Sequence, residues 1–172
     1  MNAPPGVVLL DFDTEQDVSL WQPVDDGVMG GLSRSSFTLA EPGIARFAGH
    51  VSLENFGGFA SVRTAARAWR TAGASALALR VRGDGRTYKF TVRTDDGFDG
   101  VQYQSRFTPP AGLWVDIMLP RPSFAASFRG RPVTGAAALD LARARALGLM
   151  ISDRQAGPFE LFVDRIVAVS EP

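Results

Sequence analysis

Short runs in which every second residue is hydrophobic, separated by Gly, Asp, Asn and Pro, recur along this 172-residue chain and restrict it to an all-β architecture. The alternation predicts strands at Val7–Phe12, Ser35–Leu39, Ile44–Leu53, Phe59–Arg63, Ala76–Arg82, Tyr88–Thr94, Val101–Phe107, Val115–Leu119, Leu147–Ser152 and Phe159–Val169. So many half-buried strands in one chain require two packed sheets, and the expected fold is a single β-sandwich or jelly-roll domain over residues 1–172. No internal repeat or low-complexity linker interrupts it. A chain of this length buries about 70% of its unfolded surface, so a core needs no covalent staples.

Local signals sharpen the middle of the chain. "GDGR" at Gly83–Arg86 carries the Asp-Gly pair of a tight hairpin and "DDGFDG" at Asp95–Gly100 a longer glycine loop, which predicts three consecutive antiparallel strands. The one helical candidate is Ala138–Gly148, where Leu139, Ala142, Arg143 and Ala146 fall at helical spacing; it reads as a brief crossover. Prolines at 109, 110, 120, 122 and 132 make Thr108–Gly135 irregular, with one strand inside it.

Composition removes several function classes. There is no cysteine, which excludes disulfides, thiolate metal sites and cysteine nucleophiles, and a single histidine, His50, rules out a multi-histidine metal site. His50 lies between apolar residues and reads as a plain structural or surface residue. Eighteen basic residues balance eighteen acidic ones, so no net field favours nucleic acid or anionic membranes. "DDGFDG" lacks the EF-hand spacing and has Arg106 where the late bidentate glutamate belongs. "GDGR" lacks the lysine–serine pair of a phosphate loop. No catalytic residue, metal ligand or cofactor is assigned. The first residues have no cationic n-region, and no apolar run is long enough to span a bilayer, so a cytoplasmic location is expected.

Alternation also predicts a polar surface. With Leu77, Leu79, Val81, Tyr88, Phe90, Val92, Val101, Tyr103 and Phe107 turned to the core, the opposite face receives Arg80, Arg82, Lys89, Thr91, Arg93, Gln102, Gln104 and Arg106. Such a face is either a solvated side paired with neighbouring charges or a binding surface for an acidic partner, a carboxylate or a sugar. Trp21, Trp69 and Trp114 are either core and edge plugs or a platform for sugar stacking.

Two glycine-built stretches remain. In "WQPVDDGVMGGLS", Gly27, Gly30 and Gly31 permit a compact loop and Asp25 and Asp26 can accept backbone N–H bonds, with Met29 as an apolar anchor or an exposed contact. Adjacent carboxylates on extended backbone diverge, so Asp25 and Asp26 are unsuited to paired acid–base catalysis. In "ENFGGFASVR", Gly57 and Gly58 make the turn while Phe59 and Val62 anchor the next strand.

These two blocks, followed in order by "LRVRGDGRTYKFTVRT", "YQSRFTPPAGLWVDIMLP", "FRGRPV" and "LGLMISDRQAGPFELFVDRI", resemble the complex I intermediate-associated protein family, from about Phe12 to Ile166. The resemblance is to a stand-alone bacterial member, without the mitochondrial presequence. It implies a galactose-binding-domain-like jelly roll and a non-enzymatic role in assembling respiratory NADH:ubiquinone oxidoreductase, peripheral to the inner membrane through its protein partner. The expected partner contacts are Asp25, Asp26, Met29 and Ser33 from the first loop and Asn55 and Phe56 from the second. A second face for ligand is expected at Arg80, Arg82, Lys89, Arg93, Gln102, Gln104 and Arg106. The alternative function is that of a carbohydrate-binding module using this polar face.

Overall fold

The computed structural model describes residues 6–97 and 99–170, apart from the side chains of residues 28, 29 and 56. Strands β1 (Gly6–Leu10), β3 (Arg34–Glu41), β4 (Ile44–Val51), β6 (Ala76–Arg82), β9 (Trp114–Pro120) and β13 (Gly157–Val169) form a six-stranded sheet in the order β3-β4-β13-β6-β9, with β1 also on β13. Strands β2 (Trp21–Pro23), β5 (Ala60–Thr64), β7 (Tyr88–Arg93), β8 (Gln102–Phe107), β10 (Ala125–Phe128), β11 (Arg131–Pro132) and β12 (Ala146–Ile151) form a seven-stranded sheet ordered β11-β10-β8-β7-β12-β5-β2. Neighbouring strands run antiparallel. The β-sandwich is therefore the observed architecture, and all ten expected strands lie within it.

Alternation delivers the core. Leu77, Leu79 and Val81 of β6, Tyr88, Phe90 and Val92 of β7, and Leu147, Leu149 and Ile151 of β12 are all essentially inaccessible, each contributing roughly 2 kcal/mol of burial. Phe47, Tyr88 and Phe159 pack edge-on or tilted against one another at centroid distances of 4.9 to 6.3 Å, bridging the two sheets. Trp21, on Phe37 at 4.5 Å, and Trp69, whose indole N–H donates to the Arg145 carbonyl at 3.1 Å, are core residues.

Strand β13 needs one irregularity to reach across the sheet. Leu161 and Val163 face the core, then the register shifts between Val163 and Arg165 and Ile166 and Ala168 take over. One extra residue at Asp164 reverses the parity of every side chain after it, as a β-bulge must. The first half of β13 can thus pair with β4 and the second with β1, both turning apolar residues inward.

Three expectations are corrected. "GDGR" is not a hairpin: β6 and β7 lie in opposite sheets, and the segment between them crosses the sandwich. Its Asp84 carboxylate accepts from Arg86 N (3.1 Å), Tyr88 Oη (2.9 Å) and Glu160 N (2.8 Å), so the turn is fastened to β13 as well as to the chain that follows it. Only β7 and β8 of the three middle strands are neighbours. The helix over Ala138–Gly148 is also absent; only the 3-10 turn Leu141–Arg143 forms, and β12 starts at Ala146. Leu139 and Leu141 are both buried, and the apolar residues that follow alternate to fill the place between β5 and β7, so pairing overrides a weak alanine stripe. Finally, Thr108–Gly135 holds β9, β10 and β11, with Pro132 tolerated because β11 is an edge strand.

Close strand approach makes Gly49 a test of this pairing. A Cβ there would lie 1.9 Å from the Arg34 carbonyl oxygen and 2.9 Å from Ser35 Cα, both backbone atoms of β3. Gly49→Ala should cost about 2 kcal/mol and lower the thermal midpoint by about 6 °C, measured by circular dichroism.

Candidate functional site

The two glycine-rich loops meet, and a carboxylate joins them. After β2 the chain enters the 3-10 turn Asp26–Met29, closed by Gly30 at φ 87° with Gly31 N donating to the Asp26 carbonyl at 2.8 Å. The Asp26 side chain is fully buried. It accepts from Ser33 N (2.9 Å) and Ser33 Oγ (2.5 Å) on its own loop, and from Gly58 N (2.7 Å) and Phe59 N (3.3 Å) on the second loop. Burial opposes its charge, but the donors from Ser33, Gly58 and Phe59 outweigh that and hold the carboxyl below its usual value of 3.8. Two glycines leave it room: a Cβ on Gly31 would lie 2.4 Å from the Asp26 carboxyl carbon, and one on Gly57 2.6 Å from Oδ2.

Asp25 makes a second clamp in the opposite direction, because successive side chains on extended backbone diverge. Its carboxylate accepts from Ser35 N (3.0 Å), Ser35 Oγ (2.6 Å) and Ser61 N (2.9 Å), tying the first loop to β3 and β5. Ser33 Oγ also accepts from Ser52 N at 2.9 Å. Asp26 and Ser33 thus face inward and hold the loops, whereas Asn55, exposed and left-handed at φ 53°, stands at the surface. The side chains of Met29 and Phe56 lie outside the described residues. Ser35 and Ser61, half of the Asp25 clamp, were not singled out from sequence, since serines on alternating strands give no local sign of a distant aspartate.

The polar sheet face is narrower than expected. Register places Lys89 opposite Arg106 and Met150, and Thr91 opposite Gln104 and Gly148, so Lys89, Thr91, Arg93, Gln102, Gln104 and Arg106 share the outer face of the seven-stranded sheet. Arg63 and Ser61 of β5 join them across β12. Arg80 and Arg82 do not: β6 belongs to the other sheet, where Arg80 meets Asp116 and Asp164 and Arg82 lies over the Phe162 ring at 4.5 Å. Carboxylates from the turns return to the shared face. Asp153 pairs with Lys89 (3.3 Å) and Arg106 (3.1 Å), and Asp95 with Arg93 (3.2 Å). Burial pulls the Lys89 ammonium below its usual range against Asp153, while Arg106 and Lys89 hold Asp153 below the ordinary carboxylate value.

Among the described residues no group of three or more His, Asp or Glu side chains is placed to hold a metal ion, and no helix is long and apolar enough to cross a membrane. Two packed antiparallel sheets define the class of jelly-roll β-sandwiches. The family 11 carbohydrate-binding module of a cellulosomal cellulase from Clostridium thermocellum matches this fold with a TM-score of 0.70 and 16% identity, over 99% of both chains.

Sequence then narrows the class. Residues 10–163 match the model of complex I intermediate-associated protein 30, and this chain belongs to that family. It is 28% identical over 158 residues to the mitochondrial complex I intermediate-associated protein 30 of Neurospora crassa, covering 82% of this chain and 57% of that one. With the mouse (Mus musculus) protein of the same name it shares 32% identity over 102 residues, or 56% of this chain and 30% of the mouse one. The chain therefore spans little more than half of the first relative and under a third of the second.

Because Asp26 is charged in the clamp, its contribution to stability is complete above pH 3.8 and is lost as pH falls through its lowered folded value. Asp26→Ala should cost about 3 kcal/mol at neutral pH, and its deficit relative to wild type should shrink on acidification below 3.8, read from urea midpoints at each pH.

Proposed function

We propose that this chain is a non-enzymatic binding protein that assists assembly of respiratory complex I by holding a protein partner. The family match over residues 10–163, which spans both clamped loops and the polar face, carries this reading. Asn55 and the flanks of the double loop contact the partner, with Met29 of the first loop and Phe56 of the second as the apolar candidates. Asp25, Asp26 and Ser33 act from beneath, fixing the loop shape that the partner meets. Gln102, Gln104 and Arg106 extend the contact area, with Lys89 and Arg93 buried beneath it. A pre-ordered loop pair loses little entropy on docking, which favours it as a recognition element.

Deleting the gene should lower assembled complex I and its NADH-dependent activity, and affinity-tagged protein should recover complex I subunits or assembly intermediates. Asn55→Gly, which removes the side chain and leaves the left-handed backbone at φ 53° unstrained, should reduce that recovery by about tenfold, if it removes a contact of about 1.4 kcal/mol, with little change in the thermal midpoint. Normal complex I with no respiratory subunit recovered would end the reading.

A second reading, supported by the likeness to the family 11 module, is a carbohydrate-binding protein that uses Gln102, Gln104 and the neighbouring cations as sugar hydrogen-bond partners. Saturable signals on a glycan array, insensitive to salt and abolished by Gln104→Ala, would favour it over the assembly role.

A further inference from the structure

A sheet edge is a row of unpaired N–H and C=O groups that another strand can take up, and folded proteins blunt theirs with proline, short length, charge or a covering segment. Three of the four strands that end the two sheets are blunted in this way. β11 and β2 are two and three residues long and carry Pro132 and Pro23. β3 is tied down by the Asp25 carboxylate, which accepts from Ser35 N at 3.0 Å, and it bears Arg34 and Glu41 at its ends. The fourth, β9, runs for seven residues with proline only at its last position and one charged residue, Asp116. Among the described residues β6 is its only strand partner.

Pairing leaves this edge open in a defined pattern. Arg121 N donates to the Ser75 carbonyl at 2.9 Å, which continues the register of Ala76 opposite Pro120 and Leu77 opposite Leu119. Opposed residues of an antiparallel ladder alternate between bonded and non-bonded pairs, so Val115, Ile117 and Leu119 turn their backbone groups to β6. Trp114, Asp116 and Met118 turn theirs to the open side. The side chains also show an unfinished sheet. Val115 and Ile117 face the core opposite Val81 and Leu79, yet they are only half-buried where those two are at most 1% exposed. On the outer face Trp114 is half-buried and Met118 is 49% exposed, and Leu113, just before the strand, is 59% exposed.

We propose that the open edge of β9 takes up an extended apolar segment of a partner protein as an added antiparallel strand, with a lysine or arginine opposite Asp116. This deepens the reading of the chain as a holder of a protein partner and rests on it. Cross-strand pairing sets the chemistry of the occupant. Apolar residues on its two faces meet Trp114 and Met118 on one side and cover Val115 and Ile117 on the other, and its middle residue answers the one charge of the edge. Asp116 is available for that pair: Arg80 lies between Asp116 at 3.4 Å and Asp164 at 3.5 Å, one guanidinium for two carboxylates, and the Asp116 side chain is 45% exposed. A second copy of this chain fits less well. Pairing β9 with itself about a two-fold axis at Asp116 sets two like carboxylates opposite each other.

The test titrates the labelled peptide Ser-Val-Val-Lys-Val-Val-Ser onto the full chain by fluorescence anisotropy, beside a glutamate-centred counterpart and two N-methylated forms. The lysine peptide should bind saturably and the glutamate peptide about tenfold more weakly, since an attractive cross-strand pair becomes a repulsive one. Methylating the lysine backbone nitrogen, which faces β9, should abolish binding; methylating those of the two adjacent valines, which face away, should not. Asp116→Lys should invert the preference and make the glutamate peptide the tighter ligand. Met118→Pro removes a donor from the open side and none from the β6 ladder, and should weaken both peptides about tenfold or more. Circular dichroism checks that each variant is folded, and Asp116→Lys, at an exposed position, decides the outcome if the proline variant is not. No saturable binding, a preference that Asp116→Lys leaves unchanged, or equal binding of the lysine-methylated peptide would overturn the proposal. So would a wild-type dimer in sedimentation that Met118→Pro dissolves, which assigns the edge to a second copy. Recovery of complex I subunits by the tagged protein is measured separately, so this edge can fail while the assembly role stands.

Discussion

The buried carboxylate of Asp26 organises the part of the molecule on which any binding role depends. A charge taken out of water must be met by donors or it expels itself by protonation, and here four N–H and O–H groups from two loops converge on it. The loops are far apart in sequence, so the clamp also replaces the missing sheet pairing between them. Asp25 repeats the device one residue earlier toward Ser35 and Ser61. Two consecutive acids thereby fasten one irregular segment to β3, β5 and the turn before β5.

This explains why glycines crowd the same stretches. Gly31 and Gly57 have no room for a Cβ beside Asp26, and their backbones carry the close approach that the hydrogen bonds require. The glycines and acids form one device, and Asn55 stays exposed at its surface. A rigidly fastened loop pair has its cost of ordering met by folding, before any binding. The polar sheet face follows another logic. Its cations are answered by carboxylates from the surrounding turns, so its charge is held in internal pairs of unequal quality: Asp153 serves Lys89 and Arg106 well, whereas Arg93 keeps an unsatisfied donor.

Much of the fold was legible in the sequence because strand formation is read locally. Ten strands and the core faces of β6, β7 and β12 follow from period-two patterning, and the nearness of the two glycine loops agrees with a jelly roll. The errors share one cause. "GDGR" has hairpin chemistry, yet its Asp84 also accepts from Glu160 N of β13, a partner no local window contains. Arg80 and Arg82 alternate correctly but belong to the other sheet. The alanine-rich segment before Gly148 has helical spacing, but the place between β5 and β7 required a strand. Ser35, Ser61 and Asp153 were silent, since each acquires its role from a residue on another element, 10, 36 and 64 positions away.

Sequence by itself determined which residues face inward along each strand, because alternation is a property of the extended backbone and needs no neighbour. It also determined that the two loops would be glycine-shaped and rich in acceptors. Only the tertiary structure decided which strands share a sheet, that Asp26 and Ser33 turn inward while Asn55 stays out, and that Lys89 and Arg106 come together on Asp153. Those outcomes depend on pairing order and on where buried charges find donors, and both are set by the packing of the whole chain rather than by any stretch of it.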